Sequence, residues 1–185
     1  MKSIYLAGPD VFARDARALA ENKKRICVAH GFEGLFPLDN EIDAGLDQAS
    51  RRRAIFAANI EMIRRSDLVL ANVTPFKGLE CDAGTAFEVG FAYALGIRTY
   101  LYSGFDQSIQ RRHERLQHAL EAVEAVAPFF DFARFEAEDL GAGVNLMLLE
   151  AAEETGGVFV ASHAEAADDL EVFRMAVARL ARDLG

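Results

Sequence analysis

Apolar and polar positions along the first hundred residues follow two rhythms. Short apolar runs recur at Ser3–Gly8 ("SIYLAG"), Phe32–Leu38 ("FEGLFPL"), Asp67–Val73 ("DLVLANV") and Ile97–Ser103 ("IRTYLYS"). Runs of this length, bounded by glycine, proline or polar clusters, predict buried strands. Between them the apolar positions fall at helical spacing. Ala16, Leu19, Ala20, Lys23 and Ile26 predict a helix over Phe12–His30, with Gly31 as its C-cap. Ser50 is placed to cap a second helix over Arg51–Arg65, and a third is predicted over Thr85–Leu95.

The second half of the chain continues the alternation less clearly. A helix is expected over Arg111–Val126, ended by Pro128, and Phe129–Phe135 reads equally as strand or loop. A further helix over Val144–Thr155, a fifth strand over Gly156–Ser162 and a closing helix over Glu165–Leu184 complete the pattern. Strands alternating with helices predict an α/β fold: a doubly wound five-stranded parallel sheet with helices on both faces, in a single domain over residues 1–185. Ligands of such sheets bind beyond the carboxyl ends of the strands. The loops there are Gly8–Phe12, Asp39–Ser50 and Thr74–Asp82. They are expected to set Asp10, Asp39, Asp82 and Glu88 around one mouth.

Composition narrows the class. The chain is 51% hydrophobic, which suits a globular core. A net charge of −9 argues against a nucleic-acid or anionic-membrane partner, because both need basic stripes. No apolar run approaches the roughly 20 residues of a membrane span. Cys27 and Cys81 lack CxxC spacing and suit reduced thiols, and the N-terminus lacks a signal-peptide core. A cytoplasmic protein is expected. His30, His113, His118 and His163 show no metal spacing, and no dinucleotide or phosphate-loop glycine pattern is present.

One residue breaks the hydrophobic pattern. In "DAGTAFEVGFAYALG", Glu88 is the single charge between Ala83 and Gly96. A helix that is apolar all round is a buried one, and glutamate is almost never fully buried without a partner. Asp82 precedes it by six residues, across a strand-to-helix turn with small residues (Ala83, Gly84, Ala86) that leave space. Two carboxylates beside an open space are the parts needed for glycosidic-bond chemistry, one acting at the anomeric carbon and the other on the leaving group's proton. Blander readings stand beside this one. Asp82 is equally an N-cap, Glu88 a member of a subunit-facing ion pair, Tyr5 a core residue, Asn59 and Asn72 buried amides, and Phe12 a helix staple.

These residues resemble the nucleoside 2-deoxyribosyltransferase family. The matching segments are "IYLAGPDVF" (Ile4–Phe12), "DLVLANVTPFKG" (Asp67–Gly78), "DAGTAFEVGFAYALG" (Asp82–Gly96) and "NLM" (Asn145–Met147). The resemblance implies a flavodoxin-like (Rossmann-like) form of the doubly wound sheet. It also implies transfer of a 2-deoxyribosyl group between nucleobases in two steps. Glu88 would attack C1′ of a 2′-deoxynucleoside, Asp82 would serve the proton traffic on the base, and Tyr5 would orient Glu88. Phe12 would stack on the base, with Asp10 and Asp39 at its edge or the sugar, and Gly8, Asn59, Asn72 and Gly84 completing the substrate site. Asn145 and Met147 would come from a neighbouring subunit of a homo-oligomer. The partners implied are 2′-deoxynucleosides and free nucleobases, with no metal or cofactor. Asn59 stands where some members carry aspartate, and Phe105–Val144 follows the family only loosely.

Two rival functions remain at this level. One is an N-glycoside hydrolase of nucleosides or nucleoside 5′-monophosphates on the same scaffold, whose phosphate would need Ser, Arg or backbone N–H donors such as Ser103 or Arg51. The other is a non-enzymatic nucleotide sensor, which would bind without Glu88.

Overall fold

The computed structural model describes residues 1–120, 136–162 and 169–185. Its five strands are β1 (Lys2–Ala7), β2 (Phe32–Leu35), β3 (Leu68–Asn72), β4 (Arg98–Ser103) and β5 (Phe159–Ala161). All neighbours pair in parallel, in the order β2-β1-β3-β4-β5. This is the flavodoxin-like doubly wound order, with its switch point between β1 and β3.

Alternation within the strands sorts side chains between two cores. Ile4, Leu6, Leu68, Leu70, Tyr100 and Tyr102 face α1 (Ala16–Ala29) and α6 (Asp169–Leu184). Tyr5, Ala7, Val69, Ala71 and Leu101 face the opposite way. There they meet α2 (Gln48–Arg64), α3 (Ala83–Ala94) and α5 (Leu146–Glu154). Helices therefore cover both faces. The remaining helix, α4 (Ile109–Leu120), follows β4. Among the described residues no helix is long and apolar enough to cross a membrane.

Several boundaries differ from expectation, each for a local reason. The helix expected from Phe12 begins at Ala16, because Pro9–Phe12 winds first into a separate 3-10 turn with proline at its start. The second strand stops at Leu35, and Pro37–Asp39 forms another 3-10 turn in which Asp39 Oδ2 accepts the Phe36 N–H at 2.9 Å. The cap of α2 is Asp47, not Ser50. Its carboxylate accepts both the Ser50 N–H (2.9 Å) and the Ser50 hydroxyl (2.8 Å), which a lone hydroxyl cannot match. β5 is shorter than its apolar run, and α4 starts two residues earlier than expected. The expected helix beyond Leu120, the strand-or-loop stretch Phe129–Phe135, the start of the closing helix at Glu165 and His163 lie outside the described residues.

Candidate active site

The β1–β3 switch point and the start of α3 together build one cavity of about 820 Å³. Asp82 is the N-cap of α3, its Oδ2 accepting the Thr85 N–H at 3.0 Å and the Thr85 hydroxyl at 3.3 Å. Gly84 makes room for this carboxylate: a Cβ there would stand 2.9 Å from Asp82 Oδ2. One and a half turns later Glu88 reaches the same cavity. Asp82 therefore both caps α3 and lines the cavity.

Glu88 has a partner in the core. Tyr5, fully buried in β1, donates its hydroxyl to Glu88 Oε1 at 2.6 Å. Burial pushes the Glu88 carboxyl up from 4.5 to about 7; the nearby Asp82 charge adds to the rise, and the Tyr5 hydrogen bond opposes it. Burial, reinforced by Glu88, also drives the Tyr5 phenol well above its ordinary range. Around neutral pH the pair is thus a neutral phenol holding a carboxyl group poised between its two protonation states.

Of the other residues singled out from the sequence, Gly8, Phe12, Asp39 and Asn59 line the same cavity. Phe12 is 63% exposed and stacks on Phe76 with ring centroids 5.5 Å apart, so it is no buried staple. Asp39 also pairs with Lys24, and Asn59 accepts a hydrogen bond from Asn40 at 3.2 Å.

Asp10 is not at the mouth. Its carboxylate is buried behind the Gly8–Phe12 wall, 2.5 Å from Lys23 Nζ and within 3.3 Å of Asn72 Nδ2. Asn72 is buried with it and does not line the cavity. Lys23 explains the difference, because it offers the carboxylate a charged partner inside the protein.

Within one chain Asn145 and Met147 do not approach Glu88. They line a separate groove of about 730 Å³ between α3 and α5. Asn145 is the N-cap of α5, its side chain accepting the Met147 N–H at 3.0 Å and donating to Glu138 at 3.1 Å. Met147 is 70% exposed.

Sequence reasoning passed over several cavity residues. Asn40, Glu41 and Arg17 line the site, and Arg51 lies with them rather than in reserve. The rule that ligands sit beyond strand ends pointed to the Asp39–Ser50 loop, but no signal there marked Asn40 or Glu41. Among the described residues no three His, Cys, Asp or Glu side chains gather as a metal site requires.

Fold and site together define a flavodoxin-like α/β domain whose cleft presents a half-buried carboxyl beside a second carboxylate. The family model described as nucleoside 2-deoxyribosyltransferase matches residues 4–147, and the chain belongs to that family of nucleoside-processing enzymes. No curated protein sequence matches it. Among solved structures it is similar to the 2-desoxiribosyltransferase from Leishmania mexicana, with 27% identity and a TM-score of 0.64 over 98% of each chain. A conserved protein from Enterococcus faecalis V583 shares the fold at 24% identity and a TM-score of 0.56, over 97% of this chain and 99% of that one. So does a 2-deoxyribosyltransferase from Bacillus psychrosaccharolyticus, at 19% identity and a TM-score of 0.51, over 92% and 95% of the two chains.

Proposed function

We propose that the protein transfers the 2-deoxyribosyl group between nucleobases through an ester on Glu88. The observation that carries this reading is the Tyr5–Glu88 hydrogen bond of 2.6 Å at the wall of the cavity. A carboxyl kept half-buried and held by a core phenol suits a nucleophile better than a surface charge.

In the first step a Glu88 oxygen bonds to C1′. The C1′–N bond breaks, its electron pair leaves with the base, and Asp82 manages the proton that the departing nitrogen needs. In the second step a nitrogen of the incoming base bonds to C1′ and gives its proton to Asp82, the C1′–O ester bond breaks, and Glu88 regains its carboxylate. One difficult displacement becomes two easier ones. Desolvation of the carboxylate supports this chemistry, since a poorly hydrated nucleophile has less solvent to shed. Phe12, Asp39 and Asn59 are the groups available to hold base and sugar. Asp10 and Asn72 support the wall from behind.

A neighbouring copy completes the site in this reading. The α2–α3 face beside Glu88 exposes Phe56 and Phe87, with Phe87 stacked on Phe91 at 6.3 Å. That apolar face suits the exposed Met147 segment of a second chain. The cysteines fit a cytoplasmic setting. Both are free thiols that burial keeps protonated, pushed up to about 12 at Cys27 and about 11 at Cys81.

A second reading has one observation in its favour. Arg17 and Arg51 bring positive charge to a cavity whose other charged lining residues are all carboxylates, as hydrolysis of a nucleoside 5′-monophosphate would require. The deciding experiment incubates the protein with a deoxynucleoside, or with its 5′-monophosphate, with and without a free acceptor base. A new nucleoside supports transfer. Free sugar or sugar phosphate regardless of acceptor supports hydrolysis and overturns transfer.

A further inference from the structure

Behind the wall formed by Gly8 and Phe12 lies a polar cluster that the chemistry above does not use. Lys23, on α1, is 1% exposed. Its ammonium donates to Asp10 Oδ1 at 2.5 Å and to the Tyr102 hydroxyl at 2.7 Å, and it lies 5.1 Å from the centre of the Phe173 ring. Asn72 Nδ2 donates to the same Asp10 carboxylate at 3.3 and 3.4 Å. Asn72 Oδ1 accepts the Thr74 N–H (3.1 Å) and the Thr74 hydroxyl (2.6 Å), and Thr74 Oγ1 in turn accepts the Gly104 N–H at 3.1 Å. One network therefore runs from α1 through the turn after β1 to the loops after β3 and β4.

We infer that Lys23 is a positioning residue: its ion pair with Asp10 sets the Gly8–Phe12 wall against which the nucleoside lies. This rests on the proposed reading of the cavity as a nucleoside site. Stability alone is a poor reason for the pair, because apolar replacements of buried ion pairs are often neutral or stabilising. The backbone shows what the pair does. Gly8 has a φ of +152°, and a Cβ there would stand 2.6 Å from Asp10 Oδ2 and 2.7 Å from Asn72 Cβ. The wall is drawn down onto the carboxylate so tightly that only glycine fits. The Pro9–Phe12 turn has only four residues, and the bond that closes its end runs from the Ala13 N–H to the Asp10 carbonyl at 3.1 Å. Such a turn needs outside support. It is anchored from within by charge and from without by the Phe12–Phe76 stack.

The test compares Lys23→Met with Lys23→Met/Asp10→Leu. The single variant leaves a buried carboxylate unpaired and loses melting temperature, whereas the double variant recovers it because no lone charge remains. In both, KM for the deoxynucleoside is expected to rise about tenfold or more with kcat within about threefold, since Glu88 and Tyr5 are untouched. Amide hydrogen exchange at Ala13 and Thr74 is expected to quicken in both variants while the β1 and β3 amides stay protected. A wild-type KM in the double variant overturns the inference, as does a single variant that loses only melting temperature. If Lys23→Met does not fold, the double variant carries the comparison. If the wild-type chain exchanges no bases, the nucleoside reading fails separately. Exchange at Ala13 and Thr74 in the double variant then decides the positioning role: quickened supports it, unchanged overturns it.

Discussion

At the scale of single residues, the raised Glu88 carboxyl links activity and stability with opposite signs. As the proposed nucleophile Glu88 must be ionised, so kcat/KM should rise with pH through a limb near 7. Removing the Tyr5 hydroxyl removes the contact that holds this value down, so Tyr5→Phe should move the limb upward in a pH–rate profile. Stability runs the other way. The unfolded carboxyl ionises near 4.5 and the folded one near 7, so the native state holds the extra proton between them. Folding stability therefore falls as pH rises through that window, by about 3 kcal/mol at most. Glu88→Gln should abolish base exchange, yet melt higher than wild type at pH 8 and converge with it towards pH 4. Asp82→Asn should impair turnover while changing melting little, because an amide still caps a helix; Asp82→Ala should lose about 1 kcal/mol as well. Glu88 was legible in the sequence because it is one charge in an apolar helix. Asp10 was misplaced because its partner, Lys23, is hidden by Tyr102 and Phe173, which lie far along the chain.

At the scale of elements, the period-two pattern of the strands was readable because each residue step changes the core that a side chain faces. "SIYLA" sends Ile4 and Leu6 to one core and Tyr5 and Ala7 to the other, and this puts Tyr5 on the side of Glu88. Element ends were less readable. Asp47 and Ser50 are both good caps in sequence, and only the meeting of one carboxylate with two donors decides between them. β5 depends on a contact that no local pattern reveals. Gly157 passes so close to β4 that a Cβ would stand 1.7 Å from the Thr99 carbonyl oxygen. Gly157→Ala should therefore push β5 from the sheet edge and lose roughly 3 kcal/mol or more, read as a lower urea midpoint with the slope unchanged.

At the scale of the whole molecule, the proposed shared site involves two surfaces. The Phe56–Phe87 face borders the Glu88 cavity, and the Asn145–Met147 segment projects from the other side of α3. Phe87→Glu should shift sedimentation towards a smaller species and lower activity together, while helical content stays the same. A wild-type chain that sediments as a monomer and is fully active would contradict the shared site. The resemblance to one family suggested a site shared between subunits, whereas the exposed Phe56–Phe87 face needed three dimensions to find, because the two residues belong to different helices. The stacked Phe12 wall has a practical use as well. The chain contains no tryptophan, so Phe12→Trp would install a lone indole leaning on Phe76, and its fluorescence would report arrival and departure of a base at the proposed site with no other indole in the signal.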